Sequence, residues 1–176
     1  GKSTLIERFR KATQKNIAVL APTGVAALNV HGQTIHSFFH FGIDVTPERI
    51  RRSSGKNNLI FRNLETLIID EVSMVRADML DCVDKALRVN RDSHQPFGGV
   101  QMIFVGDLYQ LPPVVTEEEN SIFEGHYASP YFFDARVMHD LKFKVVELTT
   151  VYRQRDVDFV NLLNAVRTGT VDEAVL

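Results

Sequence analysis

Leu67-Ile68-Ile69-Asp70-Glu71 is an apolar run that ends in two adjacent carboxylates. With Thr66 ahead of it, the run is short, aliphatic and rich in β-branched residues, which suits a strand buried on both faces of a parallel sheet. Ligands of open α/β sheets bind outside the carboxyl ends of the strands. A strand that delivers two acids to that edge therefore marks a candidate site. The same design recurs on either side: Ile17 to Ala21 runs into Pro22-Thr23-Gly24, and Gln101 to Val105 runs into Gly106-Asp107. Lys144 to Glu147 has strand composition as well. Between these runs the apolar spacing is helical: Leu5, Ile6, Phe9 and Ala12; Met79, Leu80, Val83 and Leu87; and Phe159, Leu162, Leu163 and Val166. The alternation predicts an α/β domain with a mostly parallel sheet flanked by helices, with no internal repeat.

The 176 residues, 44% apolar and 24% charged, are enough for one compact domain, which at this size buries roughly 70% of the surface its unfolded chain exposes. Cys82 is the only cysteine, so no intrachain disulfide forms; it reads as a buried apolar filler in a chain of a reducing compartment. No apolar run reaches membrane-spanning length. Gly1-Lys2-Ser3-Thr4 lacks the charged-then-apolar order of a secretory signal, so an intracellular location is expected. The formal net charge of -2 argues against a nonspecific binder of duplex DNA, which is usually strongly basic. Single-strand binding draws on stacking and local groove charge and is compatible with it. Two stretches read as surface: an exposed insertion at 41–58, with Arg49, Arg51, Arg52 and Lys56, and a solvated excursion at 116–125 carrying Glu117, Glu118 and Glu119.

The chemistry gathers at the strand ends. Gly1-Lys2-Ser3-Thr4 before an amphipathic helix matches the second half of a phosphate-binding loop. Backbone N–H groups at a helix N-terminus favour phosphate, the Lys2 ammonium reaches the outer phosphates, and the Ser3 hydroxyl can ligate magnesium. Asp70 suits the same cation, and Glu71 suits a general base that polarises water. Alone, either motif is equally an ordinary loop or a strand-end turn; together they describe magnesium-dependent nucleotide hydrolysis. Gln110, in Gly106-Asp107-Leu108-Tyr109-Gln110-Leu111-Pro112-Pro113, has a carboxamide fit to sense a γ-phosphate or water, against the plainer reading of a proline turn. Arg153 can supply a guanidinium to transition-state charge, with Tyr152 stacking on the base. Thr23, Gly24, Thr34 and His36 offer groups for phosphate oxygens or bases, with Phe38, Phe39 and Phe41 divided between stacking and core.

Taken in order, Gly1-Lys2-Ser3-Thr4, Ala21-Pro22-Thr23-Gly24-Val25-Ala26-Ala27, Thr34-Ile35-His36-Ser37-Phe38-Phe39, Asp70-Glu71-Val72-Ser73-Met74, Gly106 to Val114 and Tyr152-Arg153-Gln154 resemble the motifs of superfamily-one DNA helicases. More narrowly, the path from Glu71 through Pro96-Phe97-Gly98-Gly99-Val100-Gln101 into the glutamine-proline segment resembles the petite-integration-frequency (PIF) family. The resemblance covers almost the whole chain. It implies a RecA-like P-loop NTPase domain, the first of two, in an ATP- and Mg2+-dependent motor. Such a motor moves 5′ to 3′ on single-stranded DNA and unwinds forked duplexes and G-quadruplexes, in the service of DNA repair, recombination and telomere maintenance. By matching motifs, Gly1, Lys2, Ser3 and Thr4 hold phosphates, Ser3 and Asp70 hold magnesium, Glu71 and Gln110 serve hydrolysis, Arg153 is the arginine finger and Tyr152 lies at the base. Thr23, Gly24, Thr34 and His36 match the DNA track, and 41–58 takes the place of a small wedge.

Against the family pattern, the phosphate loop begins here at its last glycine, without the strand that precedes it, and no second RecA-like domain follows Leu176. The expectation is a partial domain that is no helicase by itself and is marginally stable when excised. Two other readings stand beside this one: a non-catalytic module that binds single-stranded nucleic acid, and a P-loop switch NTPase.

Overall fold

The structure, a computed structural model, describes residues 1–117, 119, 123, 125–149, 163, 165, 166 and 169. Helix α1 (Lys2–Ala12) leads into β1 (Ile17–Ala21), and α2 (Gly24–Asn29), β2 (Gln33–Thr34) and α3 (Ile35–Phe39) follow closely. Next come α4 (Gly55–Asn63), β3 (Thr66–Ile69), the long α5 (Ala77–Arg91) and β4 (Gln101–Phe104). The four strands form one sheet in the order β2-β1-β3-β4, and every pairing is parallel. Ile17 pairs with Thr66, and Thr66 with Gln101, so the carboxyl ends of β1, β3 and β4 come out level on one edge.

Alternation along the strands sends side chains to two cores. Leu20, Leu67 and Ile69 join Met102 and Phe104 on the face covered by α3, α4 and α5. Val19 and Ile68, with Ile103 and Val105, meet Ile6 and Phe9 of α1 and Val30 after α2 on the other. This three-layer arrangement is the doubly covered parallel sheet that the strand composition implies. Leu5, grouped with the apolar face of α1 by spacing, is exposed instead, because the helix turns Ile6 and Phe9 to the sheet.

Helix α5 packs Leu80, Val83 and Leu87 into the core and buries Cys82 completely; burial and nearby carboxylates push the Cys82 thiol up to about 12, so it is inert. The following Pro96-Phe97-Gly98-Gly99 turn has positive φ at Phe97 (51°), Gly98 (62°) and Gly99 (78°). A Cβ on Gly98 would lie 2.8 Å from the Leu87 carbonyl oxygen, so only glycine lets the turn close onto α5. Asp84 accepts from Phe97 N at 2.6 Å, and Arg91 donates to the carbonyls of Phe61, Leu64 and Gly98 at 2.6, 2.8 and 2.9 Å. These bonds tie α4, α5 and the entry to β4 together.

Three expectations change. Val145 and Val146 are 82% and 80% exposed, and 144–147 makes no strand pairing among the described residues, because an isolated run has no ladder to join. The insertion at 41–58 is only partly exposed: Ile50 is buried, Phe41 and Val45 pack on the core, and α4 already begins at Gly55. The 116–125 stretch is not simply solvated, since Glu119 pairs with Arg76 and Phe123 is buried beneath the Arg76 guanidinium, 5.2 Å from ring centroid to Cζ. Phe159 and Leu162 of the last helical pattern lie outside the described residues, while Leu163 and Val166 are helical and exposed.

Candidate active site

β3 passes its backbone ladder directly into the site. Asp70 N donates to Leu20 O at 2.8 Å and Val105 N to Ile69 O at 2.9 Å, so the first carboxylate is fixed to the sheet. The chain then turns sharply: Glu71 is left-handed, with φ 50° and ψ 43°, and caps the short 3-10 turn Val72–Met74. That kink keeps two adjacent acids from sharing one position. Asp70 is only 4% exposed and its Oδ1 has no hydrogen-bond partner. Burial raises the Asp70 carboxyl above the ordinary Asp range, opposed by the Glu71 N–H and the Lys2 ammonium. Glu71 remains about a quarter exposed and faces Lys2, with Oε1 3.8 Å from Nζ.

α1 brings Lys2 there. Gly1 caps the helix, its carbonyl accepting from Leu5 N at 3.1 Å; Ser3 and Thr4 lie exposed in the first turn. The opposite end is anchored by Arg10, which donates to Val30 O at 2.6 Å and His31 O at 3.0 Å. The free N–H groups of the α1 N-terminus, the ammonium and the buried carboxylate thus meet at one edge of the sheet, an arrangement suited to an anion bridged to a cation.

The turn after β4 starts against this edge. A Cβ on Gly106 would sit 2.9 Å from Val72 Cγ1 and 3.2 Å from Val72 N, so glycine permits the approach. Asp107 then organises the turn: its carboxylate accepts from Tyr109 N at 3.1 Å and from Gln110 Nε2 at 3.1 Å, and its carbonyl from Gln110 N at 3.0 Å. Gln110 is exposed, and its carboxamide is held by Asp107, a residue that sequence reasoning treated only as a strand end. The sequence signal for it is an acid three residues before a glutamine, the spacing of a side-chain-closed turn.

Thr23, Gly24, Thr34 and His36 come together next to the site because Ala21 pairs with Thr34. Thr23 Oγ1 accepts from Ala26 N at 3.3 Å and Thr34 Oγ1 from Ser37 N at 3.1 Å, so both hydroxyls cap helices. Gly24 is exposed and His36 half-buried. Phe39 is core, stacked on Phe61 and Phe41 at 5.3 and 5.1 Å between centroids. Tyr152 and Arg153 lie outside the described residues. Among the described residues no cluster of three or more His, Cys, Asp or Glu gathers, and no helix is long and apolar enough to cross a membrane.

The family model described as "PIF1-like helicase" matches residues 2–175. The chain belongs to the PIF1-like helicase family. Among PIF1-like helicases it is 37% identical over 184 residues to ATP-dependent DNA helicase PIF1 of Saccharomyces cerevisiae, covering 98% of this chain and 20% of that protein. It is 34% identical over 181 residues to the human protein of the same name, covering 99% and 27%. The chain thus spans well under half the length of these relatives. Its structure resembles Bacteroides Pif1 in complex with ADP-AlF3 and ssDNA, with TM-score 0.94 and 41% identity, over 99% of this chain and 42% of that one. These PIF1-like relatives share the RecA-like fold seen here as a parallel sheet between helices.

Proposed function

We propose that this chain is most of the first RecA-like domain of an ATP-dependent DNA helicase and that its sheet edge binds and hydrolyses ATP. The observation that carries the reading is the meeting of Lys2, Glu71 and the buried, unpartnered Asp70 at the N-terminus of α1. In this reading Gly1, Lys2, Ser3 and Thr4 hold the phosphates, Tyr152 the base, and Arg153 the charge that develops in the transition state. The buried, orphaned Asp70 Oδ1 and the Ser3 hydroxyl in the first turn of α1 fit Mg2+, which usually takes one or two protein ligands besides the substrate phosphates. Bound there, the cation neutralises phosphate charge.

Glu71 is the base that orients and deprotonates the attacking water. Its 3.8 Å approach to Lys2 gives way when phosphates draw the ammonium, leaving the carboxylate for water. Gln110, carried on the turn that abuts Val72, reports the γ-phosphate. Thr23, Gly24, Thr34 and His36 line the path of single-stranded DNA on the same edge, which joins strand contact to hydrolysis. Translocation 5′ to 3′, unwinding of forked and G-quadruplex DNA, a second RecA-like domain in the same protein and an intracellular place of work complete the reading; 41–58 forms the wedge.

The test is steady-state ATP hydrolysis by the full-length protein with and without single-stranded DNA. Strong stimulation is the expected result. Hydrolysis that ignores DNA removes the helicase reading and leaves a switch NTPase.

A further inference from the structure

Among the described residues, two buried side-chain atoms have no hydrogen-bond partner, Asp70 Oδ1 and Ser73 Oγ, and both belong to Asp70-Glu71-Val72-Ser73. Ser73 is only 1% exposed. Hydroxyls elsewhere in the sheet layer have clear structural work: those of Thr23 and Thr34 cap helices, and Thr66 Oγ1, at the amino end of β3, bonds Gln101 Oε1 at 3.2 Å. Ser73 has none. Its backbone is fixed independently, because Val72 N donates to Val105 O at 3.0 Å and Val75 N to Val72 O at 2.9 Å. Ser73 N also lies 3.3 Å from where a Gly106 Cβ would stand. The residue is thus wedged between the end of β3, which carries Asp70, and the turn that carries Asp107 and Gln110. A buried hydroxyl without a partner is costly and rare in native proteins. Alanine would fill this place without that cost, so the hydroxyl points to a partner that arrives with the ligand.

We propose that Ser73 is a positioning residue of the magnesium–nucleotide site. Its Oγ accepts a hydrogen bond from a water of the cation's hydration shell, and the same shell is held by Asp70 Oδ1. Magnesium keeps several of its waters in such sites, and partners of those waters orient the ion as effectively as partners of its direct ligands. Through Ser73 the shell is referenced to the β4 turn as well as to β3, so the ion and Gln110 share one frame. This rests on the reading of Asp70 as the magnesium residue.

The experiment measures binding of fluorescent ADP to the full-length protein as Mg2+ is titrated, together with the melting temperature without nucleotide, for Ser73→Ala and Asp70→Asn. For Ser73→Ala the expected result is a rise of about tenfold in the Mg2+ concentration at half-maximal binding. Binding of ADP in EDTA stays unchanged, and the nucleotide-free protein melts at the same or a higher temperature. If Asp70→Asn shifts the Mg2+ midpoint while Ser73→Ala does not, the proposal fails and the site reading stands. If neither shifts it, the Asp70 reading fails and the proposal with it. Equal loss of ADP binding with and without Mg2+, or a lower nucleotide-free melting temperature, makes Ser73 a packing residue and overturns the proposal. Ser73→Cys, which keeps the side-chain shape with a somewhat larger atom and weakens the hydrogen bonding, takes the place of alanine if that variant does not melt cooperatively.

Discussion

Glu71 carries two burdens at once, a left-handed backbone at φ 50° and a carboxylate aimed at Lys2. A non-glycine residue held there costs on the order of 1–3 kcal/mol, a strain concentrated at functional sites. Glu71→Gly is therefore expected to leave stability unchanged or raise it by up to about 1 kcal/mol while abolishing turnover; urea unfolding and ATP hydrolysis measured on the same preparation check both halves. Glu71→Gln keeps the shape and removes the base, so turnover should fall by about 10²–10⁴-fold with nucleotide affinity nearly intact. Lys2→Ala should weaken affinity and turnover together, and unchanged affinity would detach Lys2 from the phosphates. At Gly106 the clash is with backbone as well as side chain, at 3.2 Å from Val72 N. Gly106→Ala should cost about 1–3 kcal/mol in denaturant unfolding, by pushing the Gln110 turn off β3.

Among the elements, α5 organises the molecule through acids that face inward. Asp81 accepts from Tyr127 Oη at 2.8 Å and from the N–H groups of Arg136 and Val137 at 3.2 and 3.1 Å, holding the start of the short helix Arg136–His139. At the head of α5, Arg76 bonds Asp78 through Nε and Nη2 at 3.0 and 2.8 Å and reaches Glu119 with Nη1. The Arg76 and Thr116 contacts hold the Glu119 carboxyl down at about 2, below the ordinary 4.5. A lowered carboxylate stabilises the fold fully above about pH 4.5 and loses that contribution as pH falls toward 2. Glu119→Gln should accordingly shrink the drop in melting temperature across that interval, and an unchanged acid limb would show the pair to be idle. The sequence made β1, β3, α5 and the acids of the site legible, since buried runs and amphipathic spacing are local signals. It did not show the Arg76–Glu119 pair, the role of Asp107 or the unpaired Ser73 hydroxyl, because these depend on residues brought together only by the fold. Lys144 to Glu147 misled for a related reason: strand composition measures fitness for a sheet, and pairing needs a neighbour.

At the scale of the whole molecule, Val145 and Val146 join Leu148 and Phe143 as exposed apolar side chains, a density that soluble surfaces seldom leave uncovered. Residues 1–176 produced alone should melt over a broader range and bind more of a hydrophobic dye than the full-length protein; an equally sharp transition with no dye binding would contradict this. The order β2-β1-β3-β4 has a further consequence, one of timing. Ile17 waits for Thr66, and Thr66 for Gln101, so among the described residues no long strand pair is local in sequence. At ribosomal rates of about 5–20 residues per second, the roughly fifty residues between the first two partners take on the order of 3–10 s to appear, whereas a helix forms within about a microsecond. During synthesis the emerging chain therefore carries its helices for seconds beside an aliphatic β1 whose β3 edge is still unpaired, which makes that interval the one in which a chaperone has most to protect.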